Sequence, residues 1–344
     1  MSNFLKIRVN SLHRIKSADE YSENDPPSYI NEDYKILKVL ESTRESKIVL
    51  VKSYKYSKNI IIKLEPTKKL YMATTPEKYK NIRFKTEVSA LKKLNNICTD
   101  KEIISEQTHG HPNIIKILES TINIMRFNKK YNEIQLEYAS KGDLFTFLKK
   151  IESDGKFLTE MELKNIIKQI LDALKYAYDN HNISHRDIKL ENIFMKKDET
   201  IIVGDWGFAA FNVKNKKLIR SCGTLNYMAP EILRRESYDS NKTDIWAVAV
   251  LMFSLITQLA PYGNVRRKKN IKDNGWYDEW LSSILKKKWN IWWLSHERSE
   301  ILDRGTNIIK SFTPEFKNLI ENMMNPDAEK RYSIDQTLND PWFN

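Results

Sequence analysis

Cysteine is nearly absent. Cys98 and Cys222 are the only two and lie far apart. Two cysteines cannot build a disulfide framework, so a reducing compartment is the simpler reading. No cluster of His and Cys has zinc-ligand spacing, and no structural metal is expected. No apolar run is long enough to cross a bilayer. Residues 1–10 lack the apolar core of a secretory signal, and Ser2 stands where N-myristoylation needs glycine. The expectation is an intracellular protein, cytoplasmic or nuclear, with no membrane partner. Glycine is also scarce, nine in 344 residues, and none falls between Leu40 and Ile48, a gap that matters below.

Charge and apolar content are ample. Fifty-seven basic and 45 acidic residues give a net charge of +12. The excess is spread along the chain, densest at Arg266-Arg267-Lys268-Lys269 and Lys286-Lys287-Lys288. A dispersed excess reads as a solvated surface, so no nucleic-acid partner is expected. Hydrophobic residues at 41% and charged residues at 30% fit a globular protein. The length suffices for one large domain or two lobes with separate cores.

Residues 1–33 are polar, mixed in charge and carry Pro26-Pro27, and read as an extension before the folded domain. Residues 34–39, 47–53 and 59–64 are short runs rich in Ile, Val, Leu and Tyr, divided by polar turns, and predict antiparallel strands. Val88, Leu91 and Leu94 have helical spacing within residues 84–94. Residues 95–110 break the pattern and read as an inserted loop. Residues 114–118 and 133–138 are again strand-like. Helices are predicted over residues 144–151, 160–180, 242–259 and 314–324. Strands first and helices later indicate an α+β fold, with a β-rich lobe followed by a larger helical one.

Three motifs stand in order: His185-Arg186-Asp187-Ile188-Lys189-Leu190-Glu191-Asn192, then Asp205-Trp206-Gly207 after the strand-like residues 201–203, then Ala229-Pro230-Glu231. An isolated Asp-x-Gly would be read as a turn. At this distance from the first motif it is not. The first resembles the HRDxKxxN catalytic loop of protein kinases, the second the DFG motif with Trp for Phe, and the third the end of a kinase activation segment. The chain is thus similar to eukaryotic-type protein serine/threonine kinases over residues 34–343, closest in motif style to the calmodulin-dependent-kinase-like and cyclic-nucleotide-kinase-like groups.

The resemblance implies a bilobal kinase fold with an N-lobe at 34–136, a hinge at 137–139 and a C-lobe at 140–343. It implies ATP and Mg²⁺ as cofactors and a protein substrate. Asp187 would accept the substrate hydroxyl's proton, Lys189 would neutralise charge on the transferring phosphoryl group, and Asn192 and Asp205 would hold Mg²⁺. Ile60-Ile61-Ile62-Lys63 aligns with the VAIK strand. Lys63 would meet the α- and β-phosphates, and Glu87 would hold Lys63. Leu40 and Ile48 bracket the phosphate loop, Leu136 is the gatekeeper, and the backbone of Glu137-Tyr138-Ala139 would bind adenine. Asp143 would meet the ribose or a basic substrate residue. Glu231 would pair with Arg331, and the Asp of Asp244-Ile245-Trp246 would hold the catalytic-loop backbone.

Several positions depart from the family pattern. Glu41, Thr43 and Ser46 stand where the three glycines of the phosphate loop would be, and glycines let the backbone approach phosphates closely. Ile61 replaces the small alanine above the adenine, and Phe194 replaces the usual leucine below it. Both add bulk to a packed slot. Two readings follow: an active kinase, or a pseudokinase that keeps the fold as a protein-binding scaffold.

Arg186 would pair with an activation-segment phosphate. The usual phosphothreonine position is Arg220, leaving Ser221 as the adjacent acceptor, and a segment ordered without phosphorylation is expected. Thr224 belongs to the same segment. Asp143 and Glu191 align with positions that read Arg upstream of the phosphosite, with Ser254 at a third, so the acidic site is incomplete; two readings stand, a substrate with upstream basic residues or solvated surface charge. Trp276, Trp280, Trp289, Trp292 and Trp293 crowd one segment, read as packing of an irregular insert or, alternatively, as a docking surface.

Overall fold

The computed structural model describes residues 29–43, 46–67, 82–97, 110–262 and 279–344. The sequence readings at residues 1–28, Cys98, Arg266 to Lys269, Trp276 and the side chain of Trp280 fall outside these residues. The chain divides into two compact units, one ending at Ser140 and the other running over Lys141–Asn344.

The first unit contains β1 (Tyr29–Asn31), β2 (Tyr34–Ser42), β3 (Lys47–Ser53), β4 (Lys58–Pro66), α1 (Ile82–Leu94), β5 (Ile117–Arg126) and β6 (Lys129–Glu137). The strands form one antiparallel sheet in the order β1-β2-β3-β4-β6-β5. Alternation sorts the side chains onto two faces. Tyr34, Val49, Val51, Ile60, Ile62, Leu64 and Tyr131 form a buried cluster on one face. Each such aliphatic burial contributes about 1.5–3 kcal/mol. Ile61 and Lys63, the intervening β4 residues, therefore face the other way. Leu136 pairs directly with Ile61, and Ile48 with Lys63.

Several boundaries differ from the sequence reading, and two of them shape the sheet. Tyr29–Asn31 lie within the stretch read as an extension, yet they pair with β2 as an edge strand. The strand expected at 114–118 begins only at Ile117 and runs on to Arg126. It turns back into β6 through Phe127 and Asn128, at φ 48° and 59°. Two left-handed residues make the turn that matches strand twist. Phe127 is no turn signal in sequence, but its ring packs on the buried cluster, and Lys47 Nζ lies 4.1 Å from its centroid.

The second unit contains α2 (Leu144–Ser153), α3 (Glu160–His181), α4 (Pro230–Leu233), α5 (Ser240–Thr257), α6 (Glu279–Leu285), α7 (Trp289–Arg304), α8 (Pro314–Met323) and α9 (Ile334–Leu338). Two short ribbons accompany them: β7 (Ile183–Ser184) with β10 (Ala210–Phe211), and β8 (Ile193–Met195) with β9 (Ile201–Val203). Thr159 and Glu162 form a capping box that starts α3, and Asn182 in the left-handed region ends it. Helix α5 is apolar all round and buried along nearly its whole length, as a central core helix must be. Among the described residues no helix is long and apolar enough to cross a membrane.

Two tryptophans of α7 pack inward. Trp292 and Trp293 are buried around Phe253, and their indole N–H groups donate to Pro261 O at 2.9 Å and Glu321 Oε1 at 2.8 Å. That is the packing reading for these two positions.

Candidate active site

The loop between β7 and β8 is gripped from below by α5. Asp244 accepts the backbone N–H of His185 at 2.9 Å and of Arg186 at 2.8 Å. These bonds hold Arg186 at φ 66°, a strained value for a side-chain-bearing residue. Burial pushes the Asp244 carboxyl up to about 7. His185 accepts the Asp187 N–H on Nδ1 at 3.2 Å, so Nε2 carries the proton and donates to Gly204 O at 2.8 Å. Burial lowers its pKa and keeps the ring neutral, which suits a packing role.

Asp187 sits at the centre, 3% exposed. Asn192 Nδ2 donates to its backbone O at 2.8 Å and to Oδ2 at 3.1 Å. Lys189 Nζ lies 3.3 Å from Oδ2. Thr224 Oγ1 donates to Oδ1 at 2.8 Å and accepts from Lys189 Nζ at 3.0 Å. The carboxylate is thereby fixed in one rotamer with a cation beside it.

Asp205 follows directly. The Gly204 N–H donates to Asn192 O at 2.9 Å, which brings the stretches bearing Asn192 and Asp205 together. Asp205 has φ 50° and opens a 3₁₀ turn. Trp206 is fully buried, donates its indole N–H to Val203 O at 3.2 Å and packs 4.6 Å from the His185 ring. The larger ring thus has both a packing partner and an acceptor. Among the described residues no trio of His, Cys, Asp or Glu makes a metal cage. The pair Asn192 and Asp205 instead suits Mg²⁺, which takes one or two protein oxygens and completes its shell with phosphates and water. Since the Asn192 amide nitrogen is engaged by Asp187, its oxygen is the atom left to offer to a cation.

The segment that follows is tied down at several points. Arg186 donates from Nε to Phe208 O at 2.8 Å and from Nη1 to Tyr238 Oη at 3.3 Å. Ser221 Oγ donates to Ile232 O at 3.3 Å. Gly223 has φ +100°, and a Cβ there would sit 2.5 Å from Arg186 O. Glu231 accepts two bonds from the buried Arg331 guanidinium, at 2.7 and 2.9 Å.

Asp143 caps α2: Oδ1 accepts the Thr146 N–H at 2.8 Å and Oδ2 the Thr146 hydroxyl at 3.1 Å. Phe194, half-buried, pairs with Ile202 and bridges to Asp143. Glu191 is half-buried, and its Oε2 has no partner. Burial raises its pKa, offset in part by its own backbone N–H and by Lys189 and reinforced by Asp143. Ser254 donates to Val250 O inside α5.

In the first unit, Lys63 Nζ lies 2.6 Å from Glu87 Oε2, with both side chains buried. Ile48, Ile61 and Leu136 share the Lys63 face of the sheet by register. Leu40 stands at a bulge between the paired residues Val39 and Glu41. The β2–β3 turn is closed by its own side chains. Thr43 N donates to Ser46 O at 2.8 Å, Ser46 N to Thr43 Oγ1 at 3.0 Å, and Ser46 Oγ to Glu41 Oε1 at 2.7 Å. The Glu41 carboxylate is thus engaged by a hydroxyl. Glu137 accepts the Lys116 N–H on Oε1 at 2.8 Å, and Ala139 is buried.

Sequence reasoning missed Tyr238 and the strict need for glycine at 223. No local signal marks Tyr238, whose partners are set by how the segment folds back. Gly223 sits in the quoted Cys-Gly-Thr run, so its position was visible and its φ was not.

Residues 78–343, well over half of the chain, match the family model described as protein kinase domain. The match begins beyond Lys63 and the glycine-free turn. Among curated proteins, the chain is similar to probable serine/threonine-protein kinase HSL1 of Saccharomyces cerevisiae, 29% identical over 252 residues, covering 69% of this chain and 16% of that protein. It is similar to CBL-interacting protein kinase 31 of Oryza sativa subsp. japonica, 28% identical over 246 residues, covering 71% of this chain and 46% of that protein. It is also similar to probable serine/threonine-protein kinase fhkC of Dictyostelium discoideum, 32% identical over 241 residues, covering 68% of this chain and 34% of that protein. The chain therefore spans less than half the length of each of these relatives.

Proposed function

The chain belongs to the protein kinase domain family, and on that premise we propose that it is an ATP-dependent protein serine/threonine kinase. The two relatives named as probable serine/threonine-protein kinases support that class. The observation that carries the reading is the fixed constellation of Asp187, Lys189, Asn192 and Thr224.

Mg-ATP supplies the transferable phosphoryl group and the charge that neutralises it. The protein's part is positioning and electrostatics. Asp187 Oδ orients the acceptor hydroxyl and takes its proton as the new P–O bond forms. Lys189 stands beside that carboxylate to stabilise charge on the moving group. Asn192 and Asp205 would offer oxygens to Mg²⁺, and Lys63, fixed by Glu87, would be the cation for the other phosphates. The products are the phosphorylated side chain, ADP and the proton left on Asp187.

The scaffold reading is not favoured, since no element of the polar machinery is missing. The finer reading concerns the substrate. Glu191 has an unpartnered carboxylate oxygen, whereas both Asp143 oxygens already accept from Thr146. We infer a preference for Arg upstream of the acceptor, read by the Glu191 carboxylate once its buried Oε2 turns outward.

The test is turnover of Mg-ATP by purified protein with a basic protein acceptor. Transfer that disappears in Asp187→Asn is the expected result. Binding of Mg-ATP with no transfer to any of a broad set of proteins, or no binding at millimolar nucleotide, would overturn it.

A further inference from the structure

We propose that Lys242 is an acylation site: its side-chain amine, on the wall of a polar cavity in the second unit, takes an acyl group from a small phosphate-bearing donor, an acyl phosphate. The cavity has a volume of about 600 Å³, within the range of small-molecule sites. It is lined by Tyr178 and by stretches within residues 213–217, 231–242 and 326–329. Lys242 lies in the first turn of α5 and is half-buried. Its Nζ donates to Arg331 O, and its backbone O accepts from Arg331 Nη1 at 3.1 Å. The amine is thereby held beside the arginine that pairs with Glu231.

Several features make this amine a nucleophile. Burial lowers its pKa; Asp239 and Glu329 oppose the shift, and the like charge of Arg331 adds to it. The bond to Arg331 O does not need the charge, because a neutral amine keeps two N–H groups and gains a lone pair. The cavity gives an incoming electrophile room. Lys47 is a second amine whose pKa burial lowers, but its Nζ lies 4.1 Å from the Phe127 centroid, a contact that favours the charged form.

The other side chains of the cavity select the donor. Lys216, Lys217 and Arg234 share its lining. Lys217 is taken by Glu329 at 3.1 Å, whereas Arg234 is met by Glu236 only at 4.0 Å. Lys216 and Arg234 are thus the cations to receive a phosphate. Acids in the lining are engaged: Glu231 by Arg331, Asp239 by the Asn241 N–H at 2.9 Å and Asp327 by the Glu329 N–H at 3.2 Å. In the reaction the Nζ lone pair attacks the acyl carbonyl and an N–C bond forms. The C–O bond to phosphate breaks, inorganic phosphate leaves with that electron pair, and the nitrogen gives its extra proton to water. The amide that results is uncharged and keeps one N–H for Arg331 O.

Competitive labelling of the folded protein with trace acetyl phosphate, read by peptide mass, tests this. Since one unit of lowering gives about tenfold more neutral amine, Lys242 should be acylated about fivefold or more faster than the exposed Lys310, and faster than Lys47. The excess should vanish in urea. Acetic anhydride, which carries no phosphate, separates donor binding from amine reactivity. Lys216→Gln and Arg234→Gln should each slow acylation of Lys242 by acetyl phosphate about threefold or more and leave the anhydride rate within about twofold. A Lys242 rate no higher than that of Lys310 in the folded protein overturns the proposal, and so does an excess that persists in urea. Acetyl phosphate rates that ignore both substitutions overturn it too, because the cavity then does not recruit the donor. The wild-type comparison needs no variant to fold, and none of these readouts depends on phosphoryl transfer.

Discussion

Glu231 and Arg331 are 100 residues apart in the chain and meet through two hydrogen bonds, with Arg331 wholly buried. Arg331 also donates to Asn325 O at 3.0 Å and to Lys242 O at 3.1 Å, and its guanidinium lies 5.0 Å from the Trp246 ring. The pair thus ties the end of the activation segment to the core. Breaking a buried pair leaves an uncompensated charge and costs about 3–5 kcal/mol. Glu231→Ala and Arg331→Ala should each lose that much in urea unfolding. The double variant should lose less than the sum of the two. Additive losses would mean that the two side chains do not depend on each other.

Gly223 offers a sharper test of the site. A Cβ at 223 would meet Arg186 O at 2.5 Å, and φ is +100°. Gly223→Ala must move either the segment or the catalytic-loop backbone beside Asp187. Displacements of about 1 Å in a catalytic constellation lower rates by about 100-fold, and a loss of that order in peptide phosphorylation is expected. Gly155 is the control: its φ is +65° and a Cβ meets nothing within 4 Å. Gly155→Ala should cost about 1 kcal/mol of stability and leave turnover unchanged. Equal turnover losses in the two variants would remove the steric argument.

Much of this arrangement was legible in sequence, because each catalytic side chain lies in a short contiguous motif. The resemblance of residues 185–192 to a kinase catalytic loop places Asp187, Lys189 and Asn192 on one loop. Helix α3, expected over residues 160–180, runs over Glu160–His181, and β3 declares itself by its apolar run. What was not legible depends on contacts made over long sequence distances. The β5–β6 hairpin turns at Phe127, whose left-handed backbone is held by ring packing on the sheet rather than by turn chemistry. Tyr238 reads as an ordinary aromatic until Leu218 and Arg220 fold against it. Asp143 and Glu191 looked equivalent, and only their hydrogen bonds separate a helix cap from a carboxyl whose Oε2 is buried without a partner.

Glu191 accordingly predicts a selective effect. Glu191→Gln should lower kcat/KM about tenfold or more for peptides with Arg upstream of the acceptor, the worth of a hydrogen bond to a charged group. Peptides with Ala at that place should be affected about twofold or less. Burial raises the Glu191 pKa, so its carboxylate ionises later than an ordinary one as pH rises. Preference for Arg should therefore strengthen with rising pH through that range in the wild type and stay flat in Glu191→Gln. A library with no Arg preference at any pH would sink the assignment.

Asp244 separates stability from activity. Its carboxyl is pushed up to about 7 by burial, opposed by the His185 and Arg186 N–H donors and by the Arg186 charge, and reinforced by Asp239. An ordinary carboxyl titrates near 4 in the unfolded chain. Between those values the folded protein binds the extra proton, so this group's contribution to stability is full below about pH 4 and is lost as pH rises through 7. The stability of wild type relative to Asp244→Asn should fall over that window and level off above it. Activity should run the other way. A proton on one Asp244 oxygen deprives His185 or Arg186 of its acceptor, and Arg186 then loses part of what holds its φ of 66° beside Asp187. The rate should drop below about pH 7 while unfolding becomes harder. A stability difference that does not change with pH would mean the carboxylate stays ionised throughout, with the two backbone donors outweighing burial.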